Sequence, residues 1–354
     1  MIDQQEISID WINKVSKENH NVDKILVEKV TRALLLLEGL VKQKLPFVFK
    51  GGTALMLHLN STKRLSIDID VILSPSQNNL KKVLDAVSKE QGFVRNELQN
   101  RDTLTKIKKE HYKFFYIPYH KTNKEEEYVL LDILFEEMNY SNMMQLPIQS
   151  VFVPQQETKP PLLVDLPSLE DLLGDKLTAF APNTTGIPYF KKEDSMSMEI
   201  IKQLYDIGNL FDIVTDASII KKTFYRFATT ELIYRNKDGL KVEDVLEDIY
   251  QTGLCISSRG TDGKGDFEQL QQGIRRIGSF IFSESYHIEK AIIHASKAAY
   301  LSKLIQYSGN AIEKFSNPLE MKEWFICKPL NNKLNKLKKS NPEAFFYWYK
   351  MSKL

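Results

Sequence analysis

One short stretch of the chain holds the residue types that phosphoryl chemistry needs. The run Phe47 to Leu73, FVFKGGTALMLHLNSTKRLSIDIDVIL, contains a Gly51-Gly52-Thr53 turn followed by Asp68 and Asp70. Side chains alternate along a β-strand, so the Asp-Ile-Asp spacing sends both carboxylates to one face. Hard oxygen ligands on a rigid element are what a divalent cation needs. The glycines let backbone N–H groups approach a polyanion closely, and a helix opening at the turn adds partial positive charge. Thr53 can offer its hydroxyl to the same phosphate. A further acid, Asp132, interrupts the apolar run Val129-Leu130-Leu131-Asp132-Ile133-Leu134-Phe135. A carboxylate in so buried-looking a strand is costly unless paired or metal-bound. Two acids on one strand and a third on a neighbour form the set that holds two Mg²⁺ (or Mn²⁺) ions for in-line displacement at phosphorus. Alone, a Gly-Gly-Thr is usually a turn and an Asp-Ile-Asp a solvated face; their order within one strand-helix-strand unit predicts a metal–nucleotide site.

Two residues on later helices extend the set. Leu169, Leu172, Leu173, Leu177 and Phe180 form an apolar stripe, and Lys176 falls on it. A lysine there either snorkels or is neutralised by an anion. Asp206, within Leu204-Tyr205-Asp206-Ile207, sits on an amphipathic pattern whose ordinary reading is a polar edge.

Together, the Gly-Gly-Thr turn, Arg64-x-Ser66-x-Asp68-x-Asp70, the lone strand Asp132, Asp175-Lys176-Leu177-x-Ala179 and Tyr205-Asp206-Ile207 resemble the AbiEii/AbiGii nucleotidyltransferase toxins, part of the polymerase-β-like nucleotidyltransferase superfamily. The resemblance runs from about residue 45 to residue 212. It departs in Gly52-Thr53, where Gly-Ser is more usual, and in Lys202-Gln203, where an Arg-Asp pair is often seen. It implies an α/β nucleotidyltransferase fold with a mixed sheet and flanking helices, followed by a mostly helical domain. It implies transfer of an NMP from an NTP to an acceptor. Asp68 and Asp70 would hold both ions, with Asp132 completing the one on the acceptor side. Gly51, Gly52, Thr53 and Lys176 would bind the triphosphate, and Asp206 would orient Lys176 or the acceptor hydroxyl. Arg64 and Ser66 would touch phosphate, support the carboxylates, or be structural. Family members act as growth-arresting toxins in toxin–antitoxin or abortive-infection phage-defence pairs, and some modify tRNA 3′ ends. An RNA (tRNA) acceptor and a cognate antitoxin are therefore expected. A small-molecule nucleotidyltransferase of the antibiotic-modifying type would carry the same site, and a nucleotide-binding interaction protein without catalysis is the reading from another class.

The elements that must position these residues follow from periodicity. Apolar spacing predicts a helix over 22–43, a short strand at Phe47–Phe49, a helix over 53–59, a strand over 66–73 and a helix over 78–90. Residues 103–119 and 128–136 read as a β-hairpin around Lys121-Thr122-Asn123-Lys124. Prolines at 147, 154, 160, 161 and 167 mark a boundary, dividing a catalytic α/β domain over 1–160 from a helical domain over 161–354 that contributes nucleotide or acceptor contacts. Ser168, three residues before Asp171, is a variant capping box opening the helix that carries Lys176. Helical patterns then recur over 196–214, 216–236, 240–252, 266–283 and 286–316.

Other features carry bland readings beside sharper ones. Ser258 to Asp266 lacks the ending of a P-loop and the pattern of a calcium loop, and reads as a helix connection. His58 lies near the turn and reads as packing. His287 and His294 have no third ligand in sight. Lys106, Lys108, Lys109 and Lys113 interleave with Tyr112, Phe114 and Phe115, which suits either a nucleic-acid backbone or an edge strand guarded by lysines. The tail joins lysines to Phe345-Phe346-Tyr347-Trp348-Tyr349, a cluster expected to pack on the body.

Composition sets the outer limits. The chain of 354 residues is 42% hydrophobic and 27% charged, which excludes intrinsic disorder and allows a core without staples. Its 48 basic and 46 acidic side chains leave +2, so any polyanion site is a local patch. Cys255 and Cys327 fit neither zinc spacing nor a disulfide framework and suit a reducing compartment. Early acids (Asp3, Glu6, Asp10) and the shortness of the apolar stretch Ala33–Val41 predict no signal peptide and no membrane span, hence a cytoplasmic protein.

Overall fold

The computed structural model describes residues 1–59, 63–76, 79–99, 108–307, 309–327 and 332–354. It divides into two compact units, Met1–Ser168 with Ser279–Ser285, and Leu169–Gly278 with Tyr286–Leu354. Lys106 and the first residues of the expected strand over 103–119 lie outside the described residues.

The first unit begins with α1 (Ile9–Glu18) and α2 (Lys24–Lys42). Asp23 caps α2 by accepting from the Ile25 N–H at 2.8 Å, and Val27, Val30, Leu34 and Leu37 are buried along it at helical spacing. Two acids on this helix are buried because each has a donor: Glu28 accepts from the Tyr119 N–H at 2.9 Å, and Glu38 from the Ile2 N–H at 2.7 Å. Burial nevertheless pushes the Glu28 carboxyl above its ordinary range.

β1 (Phe47–Lys50), α3 (Gly51–His58), β2 (Asp68–Leu73), α4 (Leu80–Glu90), β3 (Arg95–Leu98), β4 (Lys109–Tyr116) and β5 (Glu127–Phe135) follow. The five strands form one mixed sheet in the order β1-β2-β5-β4-β3. β2 and β5 are parallel, and the other neighbours antiparallel. One face is core: Phe49, Ile69, Val71, Phe114, Leu131 and Ile133 are buried. The opposite face, with Lys50, Asp68, Asp70, His111 and Asp132, is half-buried. The run Val129–Phe135, which reads as buried throughout, instead alternates, with Tyr128, Leu130, Asp132 and Leu134 on the more open face. A pair of strands, β6 (Met143–Pro147) and β7 (Leu163–Pro167), completes the unit. The segment Ser279–Ser285 returns to it through Leu65 N–H donating to the Phe280 carbonyl at 2.8 Å.

The second unit is helical apart from the two-residue strands β8 (Phe190–Lys191) and β9 (Asp194–Ser195). Its helices are α5 (Leu169–Ala179), α6 (Ser197–Ile213), α7 (Ala217–Tyr234), α8 (Val242–Ser257), α9 (Phe267–Arg276), α10 (Ile288–Gln306), α11 (Leu337–Ser340) and α12 (Pro342–Met351). The tail's aromatic cluster is the buried face of α12, which packs on α10 with Phe345, Phe346, Tyr347 and Trp348 inside. The chain thus has the expected α/β class, a mixed sheet with helices followed by a helical region. Among the described residues no helix is long and apolar enough to cross a membrane.

Candidate functional site

β2 is the element on which the site is built. Its alternation sends Ile69 and Val71 into the core and leaves Asp68 and Asp70 half-buried on the other face. The parallel register with β5 places Asp132 directly beside Asp70, and Leu130 beside Asp68. Antiparallel pairing continues the same row in both directions: Lys50 of β1 lies beside Asp70, and His111 of β4 beside Asp132. Partners across neighbouring strands share a face at about 5 Å spacing. The sheet therefore lines up Lys50, Asp70, Asp132 and His111 across four strands, with Asp68 one step along β2.

The turn before α3 is shaped around the acid on β2. Gly51 has φ +79, and a Cβ there would come within 2.0 Å of the Asp70 carboxylate oxygen Oδ2. At Gly52 a Cβ would meet Ser66 Oγ at 2.6 Å and Arg64 Nη2 at 2.8 Å. Both glycines are needed, since any side chain would displace the polar groups that crowd against the turn. This brings Gly51, Gly52, Arg64, Ser66 and Asp70 together around the turn. Arg64 is buried, and its Nη1 donates to the Leu65 carbonyl at 3.0 Å. Thr53 differs from the expected phosphate contact. It is fully buried, and its hydroxyl donates to the Asp68 carbonyl at 2.6 Å, tying α3 to the start of β2.

Asp132 is one-third exposed rather than enclosed in the core, and its Oδ1 accepts from His111 Nδ1 at 2.6 Å. His111 escapes sequence reading because nothing local links it to an acid twenty-one residues later. Its only local signal is the alternation of β4, which puts it on the face opposite Tyr112 and Phe114. Among the described residues no group of three or more His, Cys, Asp or Glu is gathered to hold a metal ion. The carboxylates are turned to separate partners, Asp70 toward the Gly51 backbone and Asp132 toward His111. Like charges a few ångströms apart oppose convergence unless a cation joins them. As a donor set the three fit a hard divalent cation: all oxygen, on one rigid sheet face, with Asp70 and Asp132 register neighbours and Asp68 two residues along β2.

In the second unit Lys176 and Asp206 meet. Lys176 Nζ lies 2.7 Å from Asp206 Oδ2 and donates to Gln203 Oε1 at 3.2 Å, with both charged residues buried. The lysine on the apolar stripe of α5 is thus neutralised rather than snorkelling. Gln203 and Asp206 are one turn apart on α6, so their side chains reach the same ammonium. Asp171, read as part of a cap, is fully buried and accepts from the Thr223 hydroxyl of α7.

The remaining candidates are structural. His58 Nε2 is 2.8 Å from the Pro167 carbonyl, linking α3 to β7. His294 is buried against Tyr286 and Tyr205. The Ser258–Asp266 loop connects α8 to α9, closed by Ser258 Oγ donating to the Asp262 carbonyl at 2.9 Å.

A family described as nucleotidyl transferase AbiEii toxin, type IV TA system, matches residues 35–289. No curated protein matches the chain. Among solved structures, MenT4, a nucleotidyltransferase toxin of Mycobacterium tuberculosis, is 12% identical, with 98% of this chain and 99% of that one covered at a TM-score of 0.44. JHP933 of Helicobacter pylori is 15% identical, with 81% and 94% covered at a TM-score of 0.40.

Proposed function

The chain belongs to the AbiEii nucleotidyltransferase toxin family, and from that premise we propose that it moves an NMP from an NTP to an RNA acceptor, with Mg²⁺ as the working ion. One observation carries the reading: Asp70 and Asp132 are register neighbours on one sheet face, Asp68 follows on β2, and the Gly51-Gly52 turn abuts Asp70. A divalent cation bound by Asp68, Asp70 and Asp132 supplies charge stabilisation at the attacking and leaving oxygens of an in-line displacement. The protein's own part is to hold and align. The backbone N–H groups of Gly51 and Gly52, which open α3, would receive phosphate oxygens, and Arg64 and Ser66 crowd against that turn. Thr53 holds α3 against β2, so the cradle and the carboxylates keep one spacing. The family resemblance implies Lys176 as a triphosphate contact, and Asp206 with Gln203 sets the position of its ammonium. Asp132, steadied by His111, faces the acceptor hydroxyl.

The acceptor is read as RNA, tRNA included, in the cytoplasm where NTPs and RNA meet, with a cognate antitoxin as protein partner. The test is incubation with each α-³²P-labelled NTP, Mg²⁺ and total bacterial RNA, beside the double variant Asp68→Ala, Asp70→Ala. Label entering an RNA band with the unmodified chain only is the expected result. Absence of labelled RNA with every NTP, alongside transfer to an aminoglycoside, overturns the RNA acceptor and leaves a small-molecule transferase.

A further inference from the structure

The face of the sheet that carries the acids carries a second row, made of aromatic and basic groups. Register sets Phe115 of β4 beside Tyr128 of β5, and Arg95 of β3 beside Phe115. Phe115 and Tyr128 lie an even number of residues from His111 and Asp132, so both rows share one face. Four residues separate Tyr128 from Asp132 on β5, about 13 Å of strand.

The Phe115 and Tyr128 rings are 5.8 Å apart, tilted at 58°, and both are half-buried. The Arg95 guanidinium stacks 3.9 Å from the Phe115 centroid, held there by Glu97 and Glu126. Lys113 Nζ lies 4.3 Å from the Tyr128 centroid and Lys124 Nζ 6.0 Å. Two explanations suit lysines interleaved with aromatics on a strand, and the topology separates them. At Lys113 a guarded edge is excluded, because there β4 is paired on both sides, by β3 and β5. Tyr112 and Phe114 belong to the core, which leaves Phe115 and Tyr128 as the rings on the acid face.

We propose that this strip docks the single-stranded end of the RNA acceptor, stacking bases on Phe115 and Tyr128 and pairing phosphates with Lys113 and Lys124. The inference rests on the RNA reading above and deepens it. Stacking rings flanked by ammonium groups are how single strands are held without sequence preference. The charges are of the sign a phosphate backbone needs. Among the described residues neither Lys113 nor Lys124 makes an ion pair with a carboxylate, and Glu97, the register partner of Lys113, is engaged by Arg95. A strand lying along β5 would bring its terminal hydroxyl toward Asp132.

The test is fluorescence anisotropy of a 5′-fluorescein-labelled, mixed-sequence single-stranded oligoribonucleotide with the full chain. Tyr128→Ala should weaken binding by roughly 5- to 100-fold, and Tyr128→Phe, which keeps a ring, by little. The pair Lys113→Gln, Lys124→Gln should weaken binding and lower the salt slope by about 0.7 for each phosphate no longer neutralised. Binding of a fluorescent NTP analogue should persist in every variant, which reports an intact fold; if Tyr128→Ala fails that check, the lysine pair decides. Unchanged RNA affinity in these variants, with RNA still labelled in the transfer assay, overturns the strip and leaves the RNA acceptor standing. No RNA binding by the unmodified chain, with no RNA labelled, overturns both.

Discussion

At Asp132 one carboxylate oxygen, Oδ1, is engaged by His111 at 2.6 Å, which fixes the rotation of the group. Outer partners of this kind hold a ligand in one orientation, and their loss typically costs 10- to 100-fold in metal affinity. His111→Phe should therefore raise the Mn²⁺ concentration needed for half-maximal transfer by roughly that factor. His111→Asn, whose amide can still donate, should recover part of it. Mn²⁺ binding followed by electron paramagnetic resonance checks the same point without turnover, and equal affinities in all three proteins would remove His111 from the site. Gly51 shows a different residue-scale effect: with φ +79 and Asp70 Oδ2 pressed against it, the position accepts no side chain. That glycine was legible from the motif; His111 was not, because its partner comes from another strand.

At the scale of elements, α5 and α6 are joined by the buried ion pair of Lys176 and Asp206. Removing one partner of such a pair leaves an uncompensated buried charge, at a cost of about 3–5 kcal/mol, whereas replacing both with apolar groups can be nearly neutral. Lys176→Met should lower the urea-unfolding free energy by that amount, and Lys176→Met with Asp206→Leu should recover most of it. If Lys176 contacts the triphosphate as proposed, transfer activity should not return in the double variant. Wild-type activity in the stable double variant would show that the pair is purely structural. The sequence placed Lys176 on the apolar stripe of α5 and left open whether it snorkels or is neutralised; the structure buries it. Its partner was one of two readings of Asp206, and the packing of α6 on α5 selected it.

For the molecule as a whole, a net charge of +2 gives little general attraction to polyanions, and groups whose pKa differs between folded and unfolded chain set how stability changes with pH. His294 is the clearest case. Burial, and then Lys297 and Lys290, push its imidazole well below the ordinary value of 6.5, while Asp206 pulls the other way. It stays neutral in the fold and takes a proton when unfolded, so its contribution is fully present above about pH 6.5 and is lost as pH falls below that. The urea midpoint should fall from pH 7 to pH 5, with His294→Gln flattening the profile by up to about 1.4 kcal/mol per pH unit. Glu28 acts with the opposite sign, since its raised carboxyl favours the fold at lower pH. The difference between the two proteins therefore isolates His294, and parallel profiles would contradict its assignment as a buried neutral base.

What the amino-acid sequence determined by itself was everything set by local periodicity. Alternation put Asp68 and Asp70 on one face of β2, helical spacing put Lys176 on a buried stripe, and the glycine pair marked the turn. The aromatic tail likewise declared a helix with a face to bury. Only the tertiary structure decided which strand lies beside which, and in what register. A shift of one residue would turn Asp132 to the core and His111 with it, yet that register depends on hydrogen bonds between β2, β5 and β4, segments far apart in the chain. The same pairing placed Lys113 in the interior of the sheet, between β3 and β5, and so chose between two readings that the sequence left equal. Local preference fixes the direction of each side chain, and long-range pairing fixes what it meets.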